Sequence, residues 1–412
     1  MIVIGLLAGI ILPSVSSMAL HPIVLLHGYY GCRLLYTVDH SVPGSPQVCP
    51  PKTLNSTLWL NIFNFADLVS DACWLESAKL HYDNSSRKSY AAPGVRVTTT
   101  AFGDLDGVEW LSPPPQRLKD TSYFVYLVDG LVSLGYQRDV NIRAAQYDWR
   151  KAPNENRGWM VNLKKLIEEM YAANGHMSVI LIGHSMASTF SYVFLNQMSI
   201  SWREKYIRSW ILIGSVFGGV FKYQYAYIGN DDYPANLFPV TRSAIRTFST
   251  TAFLLPRAAA FGNEVLIKSS DAEYRAEEYE SFFHQMGYPN AFQQWKDTRN
   301  LYHPNNLVAP GNFSIYCIGG FGLQTLERTV FHGPLSRETS FQPVYGDGDT
   351  FVNAKSLRMC YHFGKGKRNF ALKEFSNTDH LQMIRDPGPV IYIVRLVNYI
   401  NYNVERFVNE YS

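Results

Sequence analysis

Beyond its first dozen residues the 412-residue chain has no apolar run approaching the roughly 20 residues a membrane-spanning helix requires. Basic runs are missing too: 37 Lys and Arg against 34 Asp and Glu leave a net charge of +3, far short of the footprint of a nucleic-acid binder. No internal repeat or low-complexity tract occurs, which excludes solenoid and disordered classes. Cysteine is scarce. Cys32, Cys49, Cys73, Cys317 and Cys360 suffice for two bridges and one leftover thiol, with the connectivity left open. A Cys49 to Cys73 bridge would close a short loop and contribute about 3.5 kcal/mol on the chain-entropy model. No metal or organic cofactor is expected.

What is present begins with Met1 to Leu12, an uncharged apolar run followed by Pro13 and the small residues Ser14, Ser16 and Ser17. This predicts a signal peptide over residues 1–17, with Val15 and Ser17 meeting the small-residue rule for cleavage before Met18, although the usual positive n-region is missing. An uncleaved anchor is the competing reading. Entry into the secretory pathway makes three sequons usable, at Asn55, Asn84 and Asn312, and suits the cysteines. Aromatic residues reach 14%, which fits a greasy pocket or membrane-facing surface and equally a well-packed core.

The remaining residues, 18–412, read as a single α/β domain. Ile23 to Leu26 is a short buried strand running into the turn His27-Gly28-Tyr29-Tyr30-Gly31. Apolar residues recur at helical spacing from Trp159 to Tyr171, and Asn174-Gly175 ends that helix. Val179-Ile180-Leu181-Ile182 has the continuous β-branched character of a central parallel strand, and Trp210 to Ile213 supplies the next. Ile315 to Ile318 and Phe370 to Phe375 resume the sheet, and Val390 to Ile400 closes the chain as a helix. Such alternation predicts a mostly parallel sheet with helices on both faces. Two stretches break the rhythm. Residues 44–80, holding Trp59, Leu60 and Phe63, read as a lid with an amphipathic helix, either packed on the core or touching lipid. Residues 221–310, rich in Tyr, Phe, Asn and Pro, read as a cap over the sheet's carboxyl edge.

Chemistry concentrates at Gly183-His184-Ser185-Met186-Ala187, between the buried strand and a helical pattern at Phe190, Val193 and Phe194. A nucleophile elbow needs small residues two before and two after its serine, because the strained turn packs helix against strand. Gly183 and Ala187 meet that need, so Ser185 is the candidate nucleophile of an α/β-hydrolase fold. The order serine, acid, histidine then points to Asp349, in Tyr345-Gly346-Asp347-Gly348-Asp349-Thr350, and to His380. A plain Asp/Gly turn or a calcium loop are the competing readings of the acid segment, and the ligand ladder of a calcium loop is absent. The N–H groups of Tyr29 and Met186 are the expected oxyanion donors.

Several separated segments, in order, resemble the family of lysosomal phospholipase A2 (group XV) and lecithin:cholesterol acyltransferase. They are His21-Pro22-Ile23-Val24-Leu25, Tyr147-Asp148-Trp149-Arg150 with Ala152 to Asn156, Glu168-Glu169-Met170-Tyr171, Gly183 to Met186, Trp202 with Lys205 to Arg208, and Gly346-Asp347-Gly348-Asp349. The resemblance implies a Ser185, Asp349, His380 triad, oxyanion donors at Tyr29 and Met186, disulfides Cys49–Cys73 and Cys317–Cys360 with Cys32 free, and membrane contact around Trp59, Leu60 and Phe63. It further implies a phospholipase A and lipid O-acyltransferase of the lysosome or extracellular space. Such an enzyme works at a phospholipid surface and passes an acyl group to water or to a lipid alcohol such as ceramide. A sterol-esterifying phosphatidylcholine acyltransferase and a catalytically inactive lipid-binding homologue are the alternatives. Ala187 stands where the family has glycine, Thr350-Phe351 replaces its Gly-Thr, Ser215-Val216-Phe217 replaces its Ala-Pro-Trp, and Tyr29 differs from its Asp or Cys.

Overall fold

Six short apolar segments form the central sheet: β1 (Ile23–Leu26), β2 (Ile142–Ala144), β3 (Val179–His184), β4 (Ile207–Ile213), β5 (Ser314–Phe321) and β6 (Phe370–Ser376). They lie in the order β2-β1-β3-β4-β5-β6 with every pairing parallel. This is the arrangement of an α/β-hydrolase. The computed structural model describes residues 20–60, 68–115, 117–228, 241–367 and 369–402; the expected signal peptide lies outside them.

All six residues of β3 are buried, because a parallel strand roofed by helices on both faces leaves no side for a polar residue. The helix α1 (Arg157–Ala173) turns Trp159, Met160, Leu163, Leu166, Ile167 and Met170 inward, and ends where Asn174 caps the Met170 carbonyl before Gly175 at φ +63°. After β3 comes α2 (Ala187–Gln197), buried from Ala187 through Leu195. In α3 (Pro387–Tyr402), Val390, Ile393, Leu396, Val397 and Ile400 repeat at three- and four-residue spacing and face the core. Each such side chain contributes roughly 1.5–3 kcal/mol on burial.

The two interruptions differ from expectation. Between 44 and 80 the chain forms a strand, Ser56–Trp59, paired with Leu34–Val38, which pairs in turn with Val95–Thr99. Among the described residues a helix spans Leu68–Ala78, tied down by the Cys49–Cys73 disulfide and by the Trp74 indole N–H donating to the Leu58 carbonyl at 2.6 Å. Trp59 and Leu60, expected to face a membrane, are 3% and 9% exposed. The Trp59 indole donates to the Tyr30 carbonyl at 2.8 Å and its ring packs on Tyr30, centroids 4.3 Å apart. A buried indole needs an acceptor and aromatic neighbours, and the turn after β1 supplies both. Phe63 lies outside the described residues. The region after 221 is a set of short helices around its own apolar cluster, including Phe221, Tyr227, Phe282 and Phe283. That cluster also takes in Phe331, Leu335 and Phe341, beyond the expected boundary at 310. Its sheet explains why: Val265–Lys268 pairs with Leu323–Phe331, which pairs with Phe341–Gly348. Asn55, Asn84 and Asn312 are exposed. Cys317 and Cys360 are bonded, and Cys32 is a buried free thiol. Among the described residues no helix is long and apolar enough to cross a membrane.

Candidate active site

The carboxyl ends of β1, β3 and β4 lie side by side, with Leu26 opposite Gly183 and His184 opposite Ile213. Ser185 sits directly beyond β3 with φ +59°, held there by its N–H donating to the Ile213 carbonyl at 2.7 Å. A left-handed backbone at a residue other than glycine costs of order 1–3 kcal/mol and persists only where its surroundings impose it. The elbow is tight. A Cβ at position 183 would stand 3.3 Å from the Ala187 Cβ, so Ala187, where the family has glycine, fits because residue 183 lacks a side chain. A Cβ at position 28 would meet the Ser185 Cβ at 2.7 Å, so only glycine lets the turn after β1 lie against the serine. That turn carries Tyr29. Neither the Tyr29 N–H nor the Met186 N–H has an acceptor among the described residues, as an oxyanion hole requires.

His380 reaches the same place from the loop after β6. Its N–H donates to the Asp349 carbonyl at 2.9 Å, and Nδ1 lies 2.6 Å from Asp349 Oδ2. A carboxylate only accepts, so Nδ1 carries the proton and Nε2 presents a lone pair. Asp349 is fully buried, and its Oδ1 accepts the N–H groups of Phe351 at 3.1 Å and Val352 at 2.7 Å. Thr350, at φ +73°, donates its hydroxyl to Asp379 and its N–H to the Thr325 hydroxyl, which accounts for threonine holding a conformation that favours glycine. Phe351 stacks on the His380 ring, centroids 5.5 Å apart.

Ser185 and His380 line one cavity of about 310 Å³ with Tyr29, Tyr30, Trp59, Leu60, Tyr223 and Phe351. The expected hydrogen bond between Ser185 Oγ and His380 Nε2 is not formed; Nε2 is buried without a partner. Such contacts commonly close only when substrate occupies the site.

A second buried histidine ties the loops together. His184 Nε2 lies 3.0 Å from the His380 carbonyl, which can only accept, so Nε2 holds the proton and Nδ1 accepts from the Tyr123 hydroxyl at 2.5 Å. The Gly28 N–H in turn donates to that hydroxyl at 2.9 Å. One tyrosine thus links the turn after β1, the nucleophile strand and the histidine loop. Tyr123→Phe strands the Gly28 N–H and His184 Nδ1, and should lower kcat about tenfold or more with little change in KM, at 1–3 kcal/mol in stability. An unchanged kcat would show that the link does not position the site. Nothing in the sequence marks Tyr123, which lies 61 residues from its partner.

Burial pushes His184 well below its ordinary pKa and His27 down to about 3. His27 Nδ1–H donates to the Gly28 carbonyl and Nε2 accepts the Tyr147 N–H, so a second proton has no place in the fold. The unfolded chain takes up that proton below about pH 6.5. Stability is therefore lost as pH falls from 6.5 towards 3. At pH 5 the loss from His27 is about 2 kcal/mol, and His184 acts in the same direction. Urea unfolding at pH 7 and pH 5 checks this, with a smaller difference expected for His27→Gln; an equal difference in the variant would contradict it.

The family model for lecithin:cholesterol acyltransferase matches residues 54–305. The chain is 31% identical over 394 residues to the lysosomal phospholipase A and acyltransferase of Bos taurus, covering 93% of each chain. It is 32% identical over 372 residues to the phosphatidylcholine-sterol acyltransferase of Gallus gallus, covering 88% of this chain and 87% of that one. Among solved structures, the Tle4–Tli4 complex superposes with a TM-score of 0.56 at 12% identity, over 93% of this chain and 99% of the other, a likeness of fold alone.

Proposed function

Because this chain belongs to the lecithin:cholesterol acyltransferase family, we propose that it is a serine acyl hydrolase and acyltransferase acting on glycerophospholipids. Its relatives named as lysosomal phospholipases and as sterol acyltransferases are matched at similar identity, so both acceptor classes are open to it. A place in the lysosome or outside the cell accords with those relatives. Contact with the phospholipid surface is peripheral in this reading, and the burial of Trp59 and Leu60 removes those two side chains from it.

The observation that carries the reading is the unpartnered His380 Nε2, a buried base in the cavity that Ser185 lines. Nε2 takes the Ser185 proton as Oγ attacks the ester carbonyl, and Asp349 holds the imidazole tautomer and stabilises its charged form. The N–H groups of Tyr29 and Met186 bind the oxyanion. Collapse of the tetrahedral intermediate breaks the ester bond, and His380 returns its proton to the departing lysophospholipid oxygen. The acyl-serine is then attacked by water or a lipid alcohol, which gives its proton to His380. As the second tetrahedral intermediate collapses the acyl–Oγ bond breaks, His380 returns that proton to Ser185 Oγ, and the fatty acid or acylated alcohol leaves.

The test is to incubate the protein with phosphatidylcholine liposomes containing ceramide, at pH 5 and pH 7. Free fatty acid and 1-O-acylceramide are expected. Absence of both at either pH leaves a lipid-binding homologue. Cholesterol in place of ceramide identifies the sterol-esterifying alternative by its ester product.

A further inference from the structure

Apart from Ser185, His380 and the rings, the cavity wall carries four charged side chains: Asp120, Lys222, Asp379 and Arg385. The carboxylates have other surroundings. Asp379 accepts the Thr350 hydroxyl and the Leu381 N–H, and so belongs to the histidine loop, while Asp120 is exposed to solvent. Neither cation pairs with a carboxylate among the described residues within 4.0 Å. Arg385 directs one guanidinium nitrogen at the carbonyls of Asp120 and Ser122, which fix its position without cancelling its charge. Its Nε is buried without a partner. Lys222, on the helix Phe221–Tyr225, holds its ammonium 4.8 Å above the Phe351 ring. Burial pushes both groups below their ordinary pKa, with Asp379 acting against burial in each case.

Lys222 and Arg385 are half-buried, and a partly desolvated cation left without an anion is poorly compensated. Two of them beside a nucleophile, over otherwise aromatic walls, describe the complement of a ligand with one oxyanion and apolar chains. A phosphodiester spreads a single negative charge over two oxygens, which suits a guanidinium with only one of its three nitrogens engaged by carbonyls, together with an ammonium point charge. The glycerol backbone places that group a few bonds from the ester that Ser185 must reach. Contacts made to a remote, unreacting group hold the scissile carbonyl in register.

We propose that Arg385 and Lys222 form the binding site for the substrate phosphodiester, anchoring the headgroup at the cavity rim while an acyl ester lies over Ser185. The proposal rests on the phospholipid reading above and adds to it the residues that select a phospholipid over an uncharged acylglycerol.

The test compares kcat/KM for dioleoyl phosphatidylcholine and for dioleoylglycerol in the same neutral-detergent micelles. The proteins are the wild type, Arg385→Gln, Arg385→Lys and Lys222→Met. The ratio of phosphatidylcholine to diacylglycerol is expected to fall about tenfold or more in Arg385→Gln and in Lys222→Met, chiefly through KM, and to recover in part in Arg385→Lys. An unchanged ratio, including equal losses on both substrates, overturns the proposal. Binding of dodecylphosphocholine, followed by isothermal titration calorimetry, separates the two readings. If the wild type hydrolyses neither lipid yet binds dodecylphosphocholine, and the neutral variants lose that binding, the site stands and the enzymatic reading falls. Absence of binding, or inorganic phosphate displacing the lipid as well as free dodecylphosphocholine does, overturns it.

Discussion

Ser185→Ala should lower fatty-acid release from phosphatidylcholine liposomes by roughly 10⁶-fold, leaving only what the oxyanion donors and binding achieve without a nucleophile. The size follows from the role assigned to the residue. His380 Nε2 is left without a partner in the cavity that Ser185 lines, and the Tyr123 hydroxyl near Gly28 is already engaged by the Gly28 N–H and by His184 Nδ1. The variant should stay folded, because the Ser185 N–H to Ile213 bond is made by the backbone. Ser185→Gly separates chemistry from folding. It too should be inactive, yet glycine at φ +59° relieves the strain and should raise unfolding free energy by about 1 kcal/mol. Fatty-acid release and urea unfolding on the same three proteins measure both effects. Equal product from wild type and Ser185→Ala would remove Ser185 from the chemistry and with it the proposed reaction.

Asp349→Asn should lower kcat about 10⁴-fold with KM nearly unchanged. The carboxylate has two jobs on its two oxygens: Oδ1 accepts the N–H groups of Phe351 and Val352, and Oδ2 faces His380 Nδ1. Asparagine has one oxygen. Turning its amino group towards the two backbone N–H groups would strand three donors in a fully buried site, so the oxygen stays with the backbone and the amino group faces Nδ1. That selects the imidazole tautomer with its proton on Nε2, which cannot act as base. Asp347 and Asp379 offer no substitute, since they are engaged by the Gly322 N–H and by Thr350 and Leu381. Retention of more than a tenth of wild-type kcat would exclude Asp349 as the orienting acid.

Much of the architecture is legible in the chain because it is written locally. The uninterrupted apolar run of β3, the helical period from Trp159 to Met170 and the closing helix were readable from residues a few positions apart, and each occurs within a few residues of its expected limits. The serine elbow is local as well: Gly183, Ser185 and Ala187 belong to one turn whose sterics depend on their own backbone. The Cys49–Cys73 and Cys317–Cys360 pairings came from the family resemblance, not from spacing, and the bonds are present.

The lid was misread where local information stops. Trp59 and Leu60 are as greasy as a membrane contact must be, and an aromatic cluster makes the same demand. Tyr30 and Trp149, 29 and 90 positions away in the chain, supply the ring faces and the carbonyl that draw Trp59 inside. The cap boundary failed for a related reason, since Val265–Lys268 finds its strand partner only at Leu323–Phe331.

The sequence by itself determined the strand-to-helix elbow and the serine at its tip, because short-range sterics and hydrophobic period act between near neighbours. Only the tertiary structure decided which groups meet at the carboxyl edge of the sheet. His184 reaches the His380 carbonyl across 196 residues, Tyr123 closes onto the glycine turn across 95, and Arg385 and Lys222 converge on one wall. Those meetings follow from strand order and from the burial of polar groups that must find partners wherever the fold brings one within reach, and neither is a property of any stretch of chain taken alone.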